Sequence, residues 1–158
     1  MNIHIDTVYL KKNEKNMRVA KENNSIEDKW GSNSSALGWV AIPTLLLFSQ
    51  KELGITSSEL NVLLNVIAHW WEKSKYPFPS QGAIAYRSGL SLKTVQRSLN
   101  SLEAKGLIIK EPTSRSNSIT KGRNIYDLSP LIDELDKISP KVLGNMMLRK
   151  KMVIHNAY

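Results

Sequence analysis

Apolar positions recur with helical spacing through the middle of the chain. Leu60, Leu63, Leu64, Ile67 and Trp71 fall at i, i+3, i+4, i+7 and i+11, which is one face of a 3.6-residue helix. Val62, Val66 and Trp70 add a second apolar strip, so this helix is expected to be central or shared with another subunit. Thr56 and Glu59 frame its start as a capping box, with Thr56 as N-cap and Glu59 at the third helical position. The pattern predicts a helix over 56–73. Tyr76-Pro77-Phe78-Pro79 ends it, because the prolines force an extended link. Trp70 and Trp71 are read as core residues closing against Tyr76 and Phe78, in preference to an aromatic ligand site.

Periodicity is weak before this helix. Residues 1–36 are polar and include the run Lys11-Lys12-Asn13-Glu14-Lys15-Asn16 and the stretch Ser32-Asn33-Ser34-Ser35. With few apolar anchors, most of 1–36 reads as a mobile arm, within which Ile3, Ile5, Val8 and Leu10 suit a short strand. Residues 38–42 look extended. Pro43 then fits the first turn of a short apolar helix through Leu45, Leu46, Leu47 and Phe48, with Gly54 as terminator.

The pattern becomes most informative at Ser80. Ser80 is placed to N-cap a helix over 81–88 that turns Ile84 and Ala85 inward. Gly89 permits the left-handed backbone of a tight turn, Leu90 plugs the corner, and Ser91 caps the next helix. That helix, over 92–105, sets Leu92, Val95, Leu99 and Leu102 on one side and Lys93, Gln96, Arg97 and Asn100 on the other, and Gly106 stops it. A strand over 107–110, a polar loop over 111–123 and a returning strand over 125–128 follow. Ser129-Pro130 opens a helix whose Asp133, Glu134 and Asp136 suit the dipole near its start. Ser139-Pro140 is expected to begin a further helix carrying Val142, Leu143, Met146, Met147 and Met152. The fold class is therefore mainly α with a small β-hairpin, a winged helix-turn-helix. The arm spans 1–36, the winged domain 37–128, and a C-terminal helical segment 129–158.

Charge sharpens this picture. The 158 residues carry a formal net charge of +8. Residues 80–126 hold eight basic side chains against two acidic ones, while 37–79 are balanced. Basic charge concentrated on the predicted helix-turn-helix points to a polyanion. Other chemistry finds little support. There are no cysteines, which excludes disulfides and thiolate metal sites and agrees with a reducing cytoplasm. His4, His69 and His155 lack a second ligand at metal spacing, so no metal is expected. No paired carboxylates, glycine-rich phosphate loop or nucleophile motif is present. A non-enzymatic protein without cofactor or catalytic residues is expected. The longest apolar stretch, 36–48, is broken by Gly38, Pro43 and Thr44 and is too short for a bilayer, and residues 1–12 lack a secretory signal. No membrane partner and a cytoplasmic location follow as expectations.

The major groove of B-DNA admits one α-helix, read mostly by the helix's N-terminal half. Arg97 suits a guanine, and Gln96 or Asn100 an adenine. Amides near Ser91 favour a phosphate. Arg115, Lys121 and Arg123 suit a flanking phosphate or a narrow minor groove. The candidate DNA-binding residues are Ser80, Gln81, Ser91, Lys93, Thr94, Gln96, Arg97, Asn100, Arg115, Lys121 and Arg123.

The run Ser80-Gln81, Ile84-Ala85, Gly89-Leu90-Ser91, Thr94-Val95-Gln96-Arg97, Leu99, Leu102-Glu103, Gly106-Leu107-Ile108 resembles bacterial winged helix-turn-helix proteins. Among these are transcription regulators, repressors included, and the DNA-binding domains of phage and plasmid replication initiators. Thr56, Leu60-Asn61-Val62-Leu63-Leu64 and His69-Trp70-Trp71 are similar to the first helix of such proteins on mobile elements. The resemblance covers roughly residues 42–128. It implies a sequence-specific binder of double-stranded DNA, with three roles open: a regulator acting as a homodimer, a replication initiation protein, or a protein-interaction module on the same fold. A homodimer is expected because one helix reads only a few base pairs and a two-fold pair reads a palindrome. Segments 37–54 and 130–154 are the candidate interface.

Overall fold

A computed structural model describes residues 25–155, with side chains as far as residue 148. The strand expected at Ile3–Leu10 lies outside the described residues, as do the side chains of Arg149, Lys150, Lys151 and Met152. The chain divides into two compact units, Met1–Ala41 and Ile42–Tyr158.

In the first unit two short helices stand in the stretch read as a mobile arm. Ser25 caps α1 (Ile26–Trp30), its hydroxyl accepting from the Asp28 amide at 3.0 Å. Gly31, at φ 81°, ends that helix and precedes α2 (Ser32–Ser35).

The second unit holds α3 (Thr44–Phe48), α4 (Ser57–Ile67), α5 (Gln81–Ser88), α6 (Leu92–Ala104), β1 (Ile109–Glu111), β2 (Ile125–Asp127) and α7 (Ser129–His155). Its core is built from Leu46, Val62, Leu63, Val66, Ile84, Val95, Leu99, Leu102, Ile108, Tyr126 and Leu128, each nearly inaccessible to solvent. The strands pair antiparallel, with Lys110 opposite Tyr126.

The capping box of α4 forms as expected. The Glu59 amide donates to Thr56 Oγ1 at 3.2 Å, and the Thr56 amide to Glu59 Oε2 at 2.6 Å. The helix stops at Ile67, short of Lys73. The His69 amide reaches Val66 O at 3.0 Å and the Trp70 amide Ile67 O at 2.9 Å, so the last turn tightens into i→i+3 bonds. Helical register is lost before Trp71. Trp70 still packs on the core, but Trp71 is 73% exposed and Tyr76 is exposed as well, against the expectation that both close the core. Pro77 is buried, and its carbonyl accepts from the Tyr126 amide at 2.9 Å, pinning the link to β2.

α7 begins where Asp127 Oδ1 accepts from the Ser129 amide at 2.8 Å and hydroxyl at 2.6 Å. It is one helix of 27 residues with Pro140 inside it, not two helices divided at Ser139-Pro140. Proline in a helix interior removes one backbone bond, at a cost of about 3 kcal/mol. Packing offsets that cost. Leu131, Leu135, Ile138 and Val142 keep i, i+4, i+7, i+11 spacing across the proline; Leu131, Leu135 and Val142 are buried, and Ile138 packs on the core.

Candidate nucleic-acid interface

The helix-turn-helix is assembled from local caps. Ser80 Oγ accepts from the Ala83 amide at 3.1 Å, Gly89 turns the chain at φ 69°, and Ser91 Oγ accepts from the Thr94 amide at 3.0 Å. The hydroxyls of Ser91 and Thr94 also lie 2.8 Å apart, so these two candidate residues form one polar cluster at the start of α6. Asn65 Oδ1 on α4 accepts from Arg87 Nε on α5 at 3.4 Å.

α6 is fixed from below. Lys105 Nζ donates to both carboxylate oxygens of Glu59, at 2.8 and 2.7 Å. Burial opposes the Glu59 charge, but bonds from Lys105, Ser101 and Thr56 together outweigh it and hold the carboxyl at about 2. Val95, Ser98, Leu99 and Leu102 are buried beneath the helix, while Lys93, Gln96, Arg97 and Asn100 are exposed above it. Lys93, Gln96 and Arg97 make no side-chain hydrogen bond or ion pair to the described residues. Leu92 departs from the expected apolar stripe and is 49% exposed. Helical side chains lean toward the N-terminus, so at the first position Leu92 overhangs the helix end instead of the core.

Asn100 is held differently from its neighbours. Its Oδ1 accepts from Lys110 Nζ at 2.5 Å, and the same ammonium reaches Glu103 Oε2 at 2.9 Å. The Lys110 amide donates to Glu103 Oε1 at 3.1 Å. The hydrogen bond from Lys110 keeps the Glu103 carboxyl below its usual range. Asn100 is thus tied to the hairpin stem through its oxygen, which keeps one acceptor position free, and its NH2 group remains for an outside partner.

The hairpin loop is ordered by its own polar side chains. Asn117 Oδ1 accepts from the Ile119 and Thr120 amides at 2.9 and 3.0 Å, and Thr113 Oγ1 donates to Arg123 O at 2.7 Å. Lys121 and Gly122 both take positive φ, at 50° and 77°. A Cβ on Gly122 would stand 3.0 Å from Arg115 Cγ, so the loop folds back closely on itself. Arg115 and Lys121 are exposed, while Arg123 is half-buried with its guanidinium 5.7 Å over the Phe78 ring. Arg123 joins Ser80 and Gln81 in lining a shallow cleft of about 340 Å3, with Asn124 and Tyr126. Burial pushes the Tyr126 phenol up, opposed by the Gln81 side chain.

Two features at α5 escape the sequence reading. Tyr86 is 90% exposed, and Gly82, four residues earlier on the same face, has open space where a Cβ would stand. The Gly82–Tyr86–Gly89 spacing, opposite Ile84, marks that outward face. The amides of Gln81 and Gly82 make no backbone bond among the described residues, since those of Ala83 and Ile84 take the Ser80 side chain and carbonyl. Among the described residues no cluster of His, Cys, Asp or Glu has a metal-holding arrangement, and no helix is long and apolar enough to cross a membrane.

Residues 53–108 match the family model of a helix-turn-helix domain. No curated protein matches the chain. Among solved structures, the chain is similar to the N-terminal domain of the DnaD protein from Geobacillus kaustophilus HTA426, at 27% identity and a TM-score of 0.51, over 70% of this chain and 88% of that one. It also aligns with S. aureus MepR, solved as a DNA complex, at 19% identity and a TM-score of 0.43, over 72% of this chain and 85% of that one. Residues 53–108 thus match a helix-turn-helix domain, and with the antiparallel hairpin of β1 and β2 that follows them the fold is a winged helix-turn-helix.

Proposed function

We propose that this protein binds double-stranded DNA in a sequence-specific manner, with α6 in the major groove, and regulates transcription as a homodimer. The observation that carries the reading is the outer face of α6. Lys93, Gln96 and Arg97 stand exposed there without partners among the described residues, on a helix clamped from below by Glu59–Lys105 and a buried apolar face. A rigid rod presenting unspent donors suits base edges. Ser91 and Thr94 at the start of α6, Ser80 and Gln81 at the start of α5, and Arg115, Lys121 and Arg123 on the loop then serve flanking phosphates. Asn100 contributes through its NH2 group and the remaining acceptor position of its oxygen. The DNA-binding part is placed within 37–128, leaving 129–158 for assembly. The protein acts in the cytoplasm by occupancy and not by catalysis.

The homodimer reading is supported by apolar surface outside the helix-turn-helix. Phe48 on α3 and Leu143, Met147 and Leu148 on α7 are each more than half exposed. A groove of about 490 Å3 lies between these helices, lined by Phe48, Lys51, Glu52, Val142, Asn145 and Met146. An apolar patch rimmed by charge is the usual form of a subunit contact.

Fluorescence anisotropy with duplexes from the chain's own upstream region tests the reading. Binding through several phosphates gives a steep fall of log affinity with log salt. No retention of any duplex at low salt would favour a protein partner instead. Mapping bound fragments across the genome separates regulation, with sites before genes, from replication initiation, with sites gathered at an origin.

A further inference from the structure

We propose that Leu92 is a specificity-determining residue whose side chain contacts the C5-methyl of a thymine, beside the base read by Gln96. The proposal rests on α6 entering the major groove. Among the four large apolar side chains of that helix, Val95, Leu99 and Leu102 are fully buried and Leu92 alone is half exposed. It stands among polar residues, between Ser91 and Lys93 with Thr94 beyond. Packing of the fold therefore does not account for its outer half. The thymine methyl is the apolar feature that B-DNA displays in the major groove, and apolar side chains at the reading end of a helix contact it.

The partner residue follows from spacing. Leu92 and Gln96 lie at i and i+4, adjacent on the same helical face. Gln96 is exposed and offers both a donor and an acceptor, the pair that matches adenine N7 and N6. An amide for adenine and a methyl-seeking side chain beside it select A·T over G·C, and orient the A·T pair, because the methyl marks which strand carries the thymine. Arg97, one residue on, faces a neighbouring position and suits guanine.

The test uses the full chain. A preferred duplex is selected from a randomised pool, and each thymine in it is replaced singly by deoxyuridine, which keeps base pairing and removes only the methyl. One or two positions are expected to lose roughly fourfold in affinity, the scale of one buried methyl. Leu92→Ala should lose a similar factor on the thymine duplex and bind thymine and deoxyuridine duplexes equally. Leu92→Gln, a polar side chain of similar reach, should also lose the discrimination, so a folding defect in one variant leaves the other to decide. The sensitive thymine should lie in or next to the A·T pair whose preference Gln96→Ala relaxes. Duplex binding with no sensitive thymine, or discrimination surviving in Leu92→Ala and Leu92→Gln, overturns the assignment alone. Failure to retain any duplex at low salt overturns the DNA-binding reading and this one with it.

Discussion

Lys105 and Glu59 are 46 residues apart in sequence, and the lysine ammonium bonds both oxygens of the carboxylate at 2.8 and 2.7 Å. The pair joins the end of α6 to the first turn of α4, and Glu59 also completes the cap of α4. One carboxylate therefore serves the initiation of α4 and the seating of α6 together. Its folded-state value of about 2 lies below the ordinary 4.5, so its contribution is fully present above about 4.5 and is lost as pH falls through about 2. A depression of this size corresponds to on the order of 3 kcal/mol. Denaturant unfolding between pH 2 and 6 should show stability falling with acid in the native protein, and a flatter profile in Glu59→Gln. Parallel profiles for the two would exclude the linkage.

Lys105→Ala should be the more damaging change to the same pair. Glu59 is only 5% exposed and would keep a buried charge with its main partner gone, whereas the Lys105 side chain, 30% exposed, is partly in water already. Removing one partner of such a part-buried pair costs on the order of 1–3 kcal/mol. Thermal unfolding of Lys105→Ala and Lys105→Met tests this, and an unchanged midpoint in both would show that the clamp contributes nothing.

Arg97 and Lys121 should separate specificity from general attraction. Arg97→Ala is expected to cost about 1–3 kcal/mol on the preferred duplex and relax one base position. Lys121→Ala, on the loop, should weaken all duplexes evenly and lower the salt slope by about 1. Competition binding against single-base variants distinguishes them. If Arg97→Ala leaves both affinity and preference unchanged, α6 is not the element in the groove.

The parts of this architecture that were legible in the sequence are those decided within about four residues. Ser80, Ser91 and Thr56–Glu59 cap their helices because a short side chain and the amide three residues on are neighbours whatever the fold does. Gly89 follows the same local logic, since its left-handed backbone is set by the turn. Three of the misreadings depend on distant contacts. Whether Trp71 stays on the face of α4 depends on where the link to Pro77 must go, and Pro77 is placed by β2. Pro140 signals a break locally, yet Leu135 and Val142 on either side of it are both buried in the second unit. Asn100 reads as a free amide until the hairpin returns Lys110 to it.

Gly82 gives a prediction in which stability and binding move in opposite directions. Its backbone is helical and a Cβ there meets nothing, so Gly82→Ala should stabilise the protein by up to about 1 kcal/mol through helix propensity. The added methyl would stand beside the free amides of Gln81 and Gly82 and hold a phosphate away from them. Duplex affinity should fall several-fold while the melting temperature rises. A gain in stability with unchanged affinity would remove the start of α5 from the interface.

The α3–α7 surface yields the last expectation. Met147 is 66% exposed on α7, near the groove bounded by Phe48 and Met146, and a charge there should cost the monomer little. In a dimer built on this face, Met147→Glu would place two like charges in an apolar contact, which is strongly unfavourable without partners. Sedimentation should then show the native chain at twice the monomer mass and Met147→Glu at the monomer mass, with similar thermal stability at high dilution. Binding to a palindromic duplex should weaken far more than binding to one half-site, because only the former draws on both protomers. Equal loss on both duplexes would mean that the substitution acts through the fold, and a native chain that sediments as a monomer at every concentration would remove the two-fold arrangement altogether.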